Sequence, residues 1–412
     1  MLPKFRNDFN RAFLPDAYQE LTVEVQKRVG CEVGFRIAET PCFMPEPTLL
    51  EMSAIGAELT HLLISDESYL EASFQSIPNK YRVPHRDAHP HFMTADFGLV
   101  RLTDGSLVPQ LVELQAFPSV FGYQAVLSDA YRSIYHLDPS LCSFFNGHTE
   151  ESYWRILGQV ILHGYDPENV VLTDVDPLNQ KTLGDFLVTQ EHLGIQIVDI
   201  ADIVPKGDKL HYRRADGTLV PIERIYNRAI ADELIRRRVE LQFDLTQAFD
   251  VEWAGHPNWY FHISKFSLPY LDHPAVPPAV FLSDWLDGKG RDRLEPGETM
   301  SPRGFVYDNL LLKPLFSFAG KGIEFSPALA DLQAIPEETR GEYLLQQRVS
   351  FAPVIETPCG PTQPEIRILY VWPDGGELEP LISLVRLGRG KMMGVDHNRN
   401  LEWVGSSAAF FA

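Results

Sequence analysis

The stretch from Asn169 to Ile200 constrains the fold of this chain more than any other. NVVLTD (169–174) is a short apolar run, KTLGDFLVTQEHLG (181–194) has helical spacing closed by a glycine, and IQIVDI (195–200) is a second apolar run. Strand, helix, strand in so few residues is a βαβ unit, in which the two strands lie parallel. The middle of the chain is therefore expected to form a Rossmann-like lobe.

Elsewhere the pattern is antiparallel. HFMTADFGLVRL and LVPQLVELQAF flank Asp104-Gly105, a short-range hairpin signal, and KLHYRRADGTLVPIERIYNR carries a similar one at Asp216-Gly217. EIRILYVW and ELEPLISLVRL (365–387) form a further hairpin turning at Asp374–Gly376. PTLLEMSAIGAELTHLL (47–63) and ADELIRRRVELQFDL (231–245) read as helices. A length of 412 residues favours two or three packed lobes over one core.

Charge and cysteine usage bound the function. A net charge of −20 argues against nucleic acid, whose phosphates need a basic face. Cys31, Cys42, Cys142 and Cys359 are widely spaced and form no CxxC, as expected of reduced thiols in a cytoplasmic protein. MLPKFRNDFNRAF lacks the apolar core of a signal peptide, and no apolar run is long enough to span a bilayer.

The chemistry-bearing residues fall in two distant places. If Asp104-Gly105 holds the two central turn positions, Asp96 lies opposite Glu113 and Thr94 opposite Gln115. Directly paired residues share a face, so Asp96, Glu113 and Gln115 converge. Facing carboxylates repel unless something lies between them. Mg²⁺ fits, since it takes one or two carboxylates with phosphate oxygens and water. An exposed polar hairpin face is the plainer alternative.

About two hundred residues later, LLLKPLFSFAGKG puts Lys313 on a strand before a small-residue loop, Ser317, Ala319, Gly320, Lys321 and Gly322. Backbone N–H groups and glycines in such a loop allow close approach to phosphate. With Lys265 on a separate element, two lysines can neutralise phosphate charge, although singly each reads as a surface residue. The loop is not a Walker A motif. EYLLQQRV (342–349) is either a plain core strand or one whose backbone meets an adenine edge.

From about Pro257 to Leu387 the chain resembles the ATP-grasp fold: Lys265, Lys313 with its glycine-rich flap, a hinge at Gln346, Gln347 and Val349, then Glu365, Arg367 and Arg386. TADFGLVRLTDGSLVPQLVELQAFPS resembles the metal-binding segment of glutathionylspermidine synthase-like proteins, whose ATP-grasp order is circularly permuted. PIERIYNR (221–228) resembles that family's segment between lobes. Thr94 stands where the family has an arginine, with Arg101, Arg367 or Arg386 as its substitutes, and Gln115 replaces an asparagine.

The resemblance implies a mixed α+β, α/β chain with an ATP-grasp fold in permuted order. Residues 1–90 are unassigned, 91–150 carry the metal hairpin and 151–256 the Rossmann-like lobe. Residues 257–345 form the ATP-grasp N-lobe and 346–412 the C-lobe. It implies ATP and Mg²⁺ as cofactors, small-molecule carboxylate and amine substrates, and ligation through an acyl-phosphate. Asp96, Glu113 and Gln115 would hold the metal, Lys265, Lys313, the loop and the hinge the nucleotide, and Arg367 and Arg386 the developing charge. A phosphotransferase that stops at phosphorylation, and a non-catalytic nucleotide-binding protein, stay open as alternatives.

Three lesser clusters complete the reading. PHRDAHPHF (84–92), with His85, His89 and His91, is expected as a polar loop entering the active site rather than a zinc site. Asp174 and Asp176 end a parallel strand and are candidates for contact with substrate. Asp396, His397 and Asn398 form either a ligand contact or a turn.

Overall fold

Strand Val170–Asp174, helix Leu183–Leu193 and strand Gln196–Asp199 form the expected βαβ unit, within two residues of each sequence bound. The computed structural model describes the chain apart from Pro296, Pro302, Arg303, Phe318, Ala319, residues 394–397 and Arg399. The βαβ strands belong to a four-stranded, wholly parallel sheet ordered Glu252–Ala254, Arg224–Asn227, Val170–Asp174, Gln196–Asp199.

A six-stranded sheet spans the ends of the chain. Its order is Cys42–Met44, Gly405–Phe411, Glu379–Gly388, Gln363–Val371, Phe92–Arg101, Leu107–Gln115, and only the first pair is parallel. Strand alternation sorts its side chains. Met93, Ala95, Phe97, Ile366, Ile368 and Tyr370 enter one core with Leu49, Met52 and Leu59 of helix Glu46–Ser65. The Tyr370 hydroxyl donates to the Ser53 carbonyl of that helix at 2.9 Å. On the opposite face Phe92, Leu369, Val371, Ile382 and Phe410 pack with helix Phe121–Ile134 and with Phe9, Leu21 and Val25 of helices Pro3–Ala12 and Pro15–Val29. Further along this second face the same alternation places Asp96, Glu365, Arg367 and Arg386, and the apolar surface gives way to charge.

An antiparallel sheet, ordered Ala279–Phe281, Tyr343–Gln347, Leu310–Pro314, Glu324–Phe325, carries Lys313. No described helix is long and apolar enough to cross a membrane.

Two expectations of local structure are corrected. The Asp104-Gly105 hairpin turns over three residues, not two, and the Asp216-Gly217 hairpin also turns over three: Leu102 N–H donates to Ser106 O at 2.9 Å, and Arg214 N–H to Thr218 O at 2.9 Å. Asp104 and Asp216 each accept the N–H of the residue two further on, at 2.9 Å, so only Gly105 and Gly217 take the left-handed conformation, each at φ 88°. The helix expected over 231–245 ends at Arg237, with Arg238 left-handed at φ 52°. Val239, Leu241, Phe243 and Leu245 alternate at period two, which no helix face can bury together. The chain leaves the helix and all four join the core around Tyr212, Val220 and Ile225.

Candidate functional site

A cavity of about 800 Å³ lies among the charged part of the six-stranded sheet, the antiparallel sheet and the carboxyl ends of the parallel strands. On its floor Thr94 pairs with Gln115 and Asp96 with Glu113, as the hairpin reading expects. The route to that register is different. The three-residue turn shifts the pairing by one near the tip, and a bulge beside Asp96 restores it.

Asp96 is covered by arginines. Arg367 lies directly opposite on the neighbouring strand and grips it in bidentate fashion, Nε to Oδ1 at 2.6 Å and Nη2 to Oδ2 at 2.7 Å. Arg386 also donates to Asp96 and pairs with Glu365. Burial alone would raise the Asp96 carboxyl, but the two guanidinium groups hold it below the ordinary range. Asp96 is 1% exposed and does not border the cavity, whereas Glu113, Gln115, Glu365, Arg367 and Arg386 do. The carboxylates that border this floor are thus Glu113 and Glu365, and Asp96 fixes the arginines from below. Burial raises the Glu365 carboxyl, with Arg386 opposing.

The second hairpin needs a correction of register. A tight turn at PDGG would place Arg367 opposite Ile382; the connection is longer and a bulge follows Leu369, so Arg367 pairs with Leu384. The shift is by two residues, so Arg367 and Arg386 still share a face.

Both lysines reach this floor. Lys265 begins the short 3₁₀ turn Lys265–Tyr270, and its Nζ donates to Ser317 O at 2.6 Å, 3.8 Å from Glu113. Lys313, 3% exposed, projects from Leu310–Pro314, and burial pushes its ammonium down to about 8, with Glu113 opposing and Lys265 adding. Of the loop, Ser317, Gly320 and Lys321 border the cavity. Gly320 and Gly322 are left-handed at φ 71° and 74°, and Ala319 lies outside the described residues.

On the hinge strand Gln346 and Val349 line the cavity, and the Gln346 Nε2 is buried with no hydrogen-bond partner among the described residues. Gln347 is corrected: strand alternation turns it away, and its amide pairs with the backbone of Glu295 at 3.1 Å.

The carboxyl ends of the parallel sheet supply Asp174, Arg228 and Glu233 to the far wall, and Phe35 comes from the N-terminal segment. Sequence reasoning did not pick out Phe35, Arg228, Arg348 or Arg389 as cavity residues; Arg228 alone had a signal, at the end of PIERIYNR. Asp176 lies away, paired with Arg237 at 2.8 Å beside a more open cleft of about 1330 Å³ that none of Lys265, Lys313, Lys321, Arg367 and Arg386 borders.

Residues 84–92 do not enter the cavity, contrary to expectation. His91 instead joins Asp374 at 3.0 Å and Asp87 at 3.6 Å, and His89 stacks on Trp372 at 4.3 Å. Arg101 sits at the hairpin tip, bonded to Gly105 O at 3.1 Å, and so cannot stand in for the arginine that Thr94 replaces. Asp396 and His397 lie outside the described residues, while Asn398 accepts the N–H of Arg389 at 3.2 Å. Among the described residues no cluster of three or more His, Cys, Asp or Glu side chains is arranged to hold a metal unaided.

The sequence matches no family model and no curated protein sequence. The fold is similar to that of a glutathione synthetase-like effector (GSS30) from Globodera pallida, solved in its apo form: the TM-score is 0.57 at 12% identity, over 97% of this chain and 98% of that one. A chain from Methylobacillus flagellatus KT assigned as a gamma-glutamylcysteine synthetase aligns over 90% of this chain and 89% of its own, at 13% identity and a TM-score of 0.37, too low to carry an argument. The chain thus has a mixed α/β fold like that of a glutathione synthetase-like protein.

Proposed function

We propose that this protein is an ATP- and Mg²⁺-dependent ligase that joins a carboxylate to an amine through an acyl-phosphate, on an ATP-grasp fold in circularly permuted order. One observation carries the reading: Lys265, Lys313, a glycine loop, Glu113 and Glu365 border a single cavity although they come from opposite halves of the chain. Its volume of about 800 Å³ is within the usual range for ligand sites.

Lys265 and Lys313 would hold phosphate oxygens, with Ser317, Gly320, Lys321 and Gly322 of the loop beside them limiting water. The orphaned Gln346 amide and the Val349 backbone would meet the base. Glu113, Glu365 and the Gln115 amide oxygen fit Mg²⁺, which needs few protein carboxylates when phosphate oxygens and water complete its shell. When bound, the metal would neutralise phosphate charge. Arg367 and Arg386, already oriented by Asp96, would stabilise charge on the transferring phosphoryl group, and the remaining work is alignment. The metal hairpin and residues 257–412 would form the nucleotide lobes, residues 151–256 a Rossmann-like lobe, and residues 1–90 a support.

Calorimetric titration with ATP, with Mg²⁺ and then with EDTA, tests the site on wild type and Glu113→Ala. Binding that requires the metal, and that weakens at least about tenfold in a folded Glu113→Ala protein, is expected. Equal affinity in the two proteins would remove Glu113 from the site. A second reading, nucleotide binding without ligation, is favoured by Thr94 in the arginine position. ADP release that depends on both an acid and an amine from a panel excludes it.

A further inference from the structure

Asp174 is a buried carboxylate that makes no ion pair among the described residues. It ends the strand Val170–Asp174 at the carboxyl edge of the parallel sheet, the side on which such sheets receive ligands, and borders the cavity while only 6% exposed. Its Oδ1 accepts the Val175 N–H at 2.7 Å. The bond to Val175 is its one hydrogen bond among the described residues, where no ion pair involves it. Arg228, the cation whose charge acts on it, is paired with Asp185: Nη1 lies 2.5 Å from that carboxylate and also donates to Ser119 O.

The other charges facing Asp174 are negative, Glu233 from helix Ala231–Arg237 and Asp199 from the neighbouring strand, while Lys181 and Arg236 stand on the cavity wall. Burial pushes the Asp174 carboxyl up to about 7, with Arg228 opposing and Glu233 and Asp199 adding. An unpaired buried carboxylate is destabilising, and its placement on a cavity wall points to a cationic ligand.

We infer that Asp174 receives the amine substrate, binding its primary ammonium and taking its proton so that the neutral amine can attack. The inference rests on the ligase reading above. One proton passes from the ammonium to the Asp174 carboxylate, and the freed nitrogen pair attacks the acyl carbon. The C–N bond forms as the C–O bond to phosphate breaks, with its electron pair leaving on the phosphate oxygen. The remaining excess proton on nitrogen goes to the departing phosphate, and Asp174 releases its own to solvent.

Asp174→Asn keeps the side-chain volume and the bond to Val175 but cannot accept a proton. The test compares wild type and Asp174→Asn with ATP, Mg²⁺ and a panel of amino acids and γ-glutamyl peptides as acids, offering either methylamine, an ammonium at neutral pH, or hydroxylamine, which is already neutral there. The variant is expected to lose methylamide formation at least about 100-fold while forming hydroxamate at close to the wild-type rate. Equal losses with both nucleophiles, or no loss with either, overturn the inference.

If wild type forms neither product with any acid, the ligase reading fails on its own. The site is then judged by a ¹³C NMR titration of the Asp174 carboxyl, identified by its absence from Asp174→Asn. A titration near neutral pH that moves to lower pH on adding methylammonium is expected. Titration in the ordinary carboxylate range, or indifference to methylammonium, overturns the proposal.

Discussion

The two ends of the cavity are built from the same physics with opposite sign. At the antiparallel-sheet end the buried group at odds with its surroundings is a cation, Lys313, pushed down to about 8. At the parallel-sheet end it is an anion, Asp174, pushed up to about 7. In both cases burial is the leading cause, and beside each stands a buried ion pair: Arg367 with Asp96 at one end, Arg228 with Asp185 at the other. The matched pairs fix the walls, and the unmatched groups mark where a ligand of opposite charge would complete the site. A desolvated charge left open is thus more informative about function than a salt bridge, which is already satisfied.

The largest test of this contrast breaks a matched pair. Arg367→Ala leaves Asp96 buried with Arg386 alone, and a loss of about 3–5 kcal/mol in urea unfolding is expected; a loss below about 1 kcal/mol would mean the pair is not what holds the floor.

The next test reads the unmatched groups through pH. Asp174 has a folded pKa raised from 3.8 to about 7, so the folded state holds more protons and stability falls as pH rises across that window. Lys313 has a folded pKa lowered from 10.5 to about 8, so the unfolded state holds more protons and stability rises from about 8 to 10.5. The two changes are expected to amount to on the order of 3–4 kcal/mol each, and Asp174→Asn should erase the first and Lys313→Met the second. Unfolding curves across pH in which both variants keep both slopes would dissolve the comparison. The smallest effect sharpens it: Gln347→Ala should leave ATP affinity within about twofold of wild type, because the side chain faces Glu295 rather than the cavity.

The floor of the site was legible in sequence because strand parity is robust. The Asp104-Gly105 turn was misread by one residue and the PDGG connection by two, yet a bulge repaired the first and the second preserved the face. What sequence could not give was the partner of each charge. Asp96 reads as a metal ligand until the strand Gln363–Val371 lies beside it and Arg367 occupies its oxygens. Asp174 has the opposite history: its isolation follows from Arg228 choosing Asp185, a pairing across strand and helix that no local pattern encodes. Gln346 and Gln347 needed only the register of one strand, and the loss of helix after Arg237 was written in the alternation of Val239, Leu241, Phe243 and Leu245.

The grip of Arg367 on Asp96 also sets a timetable for synthesis. The two residues are 271 apart, so at about 5–20 residues per second the hairpin that carries Asp96 leaves the ribosome roughly 15–55 s before its partner strand. Through that interval the nascent hairpin has an unpaired edge and a carboxylate with no counterion, on a surface destined for burial. The price of drawing one site from both halves of the polypeptide is a long wait for its keystone strand, with an open sheet edge exposed throughout.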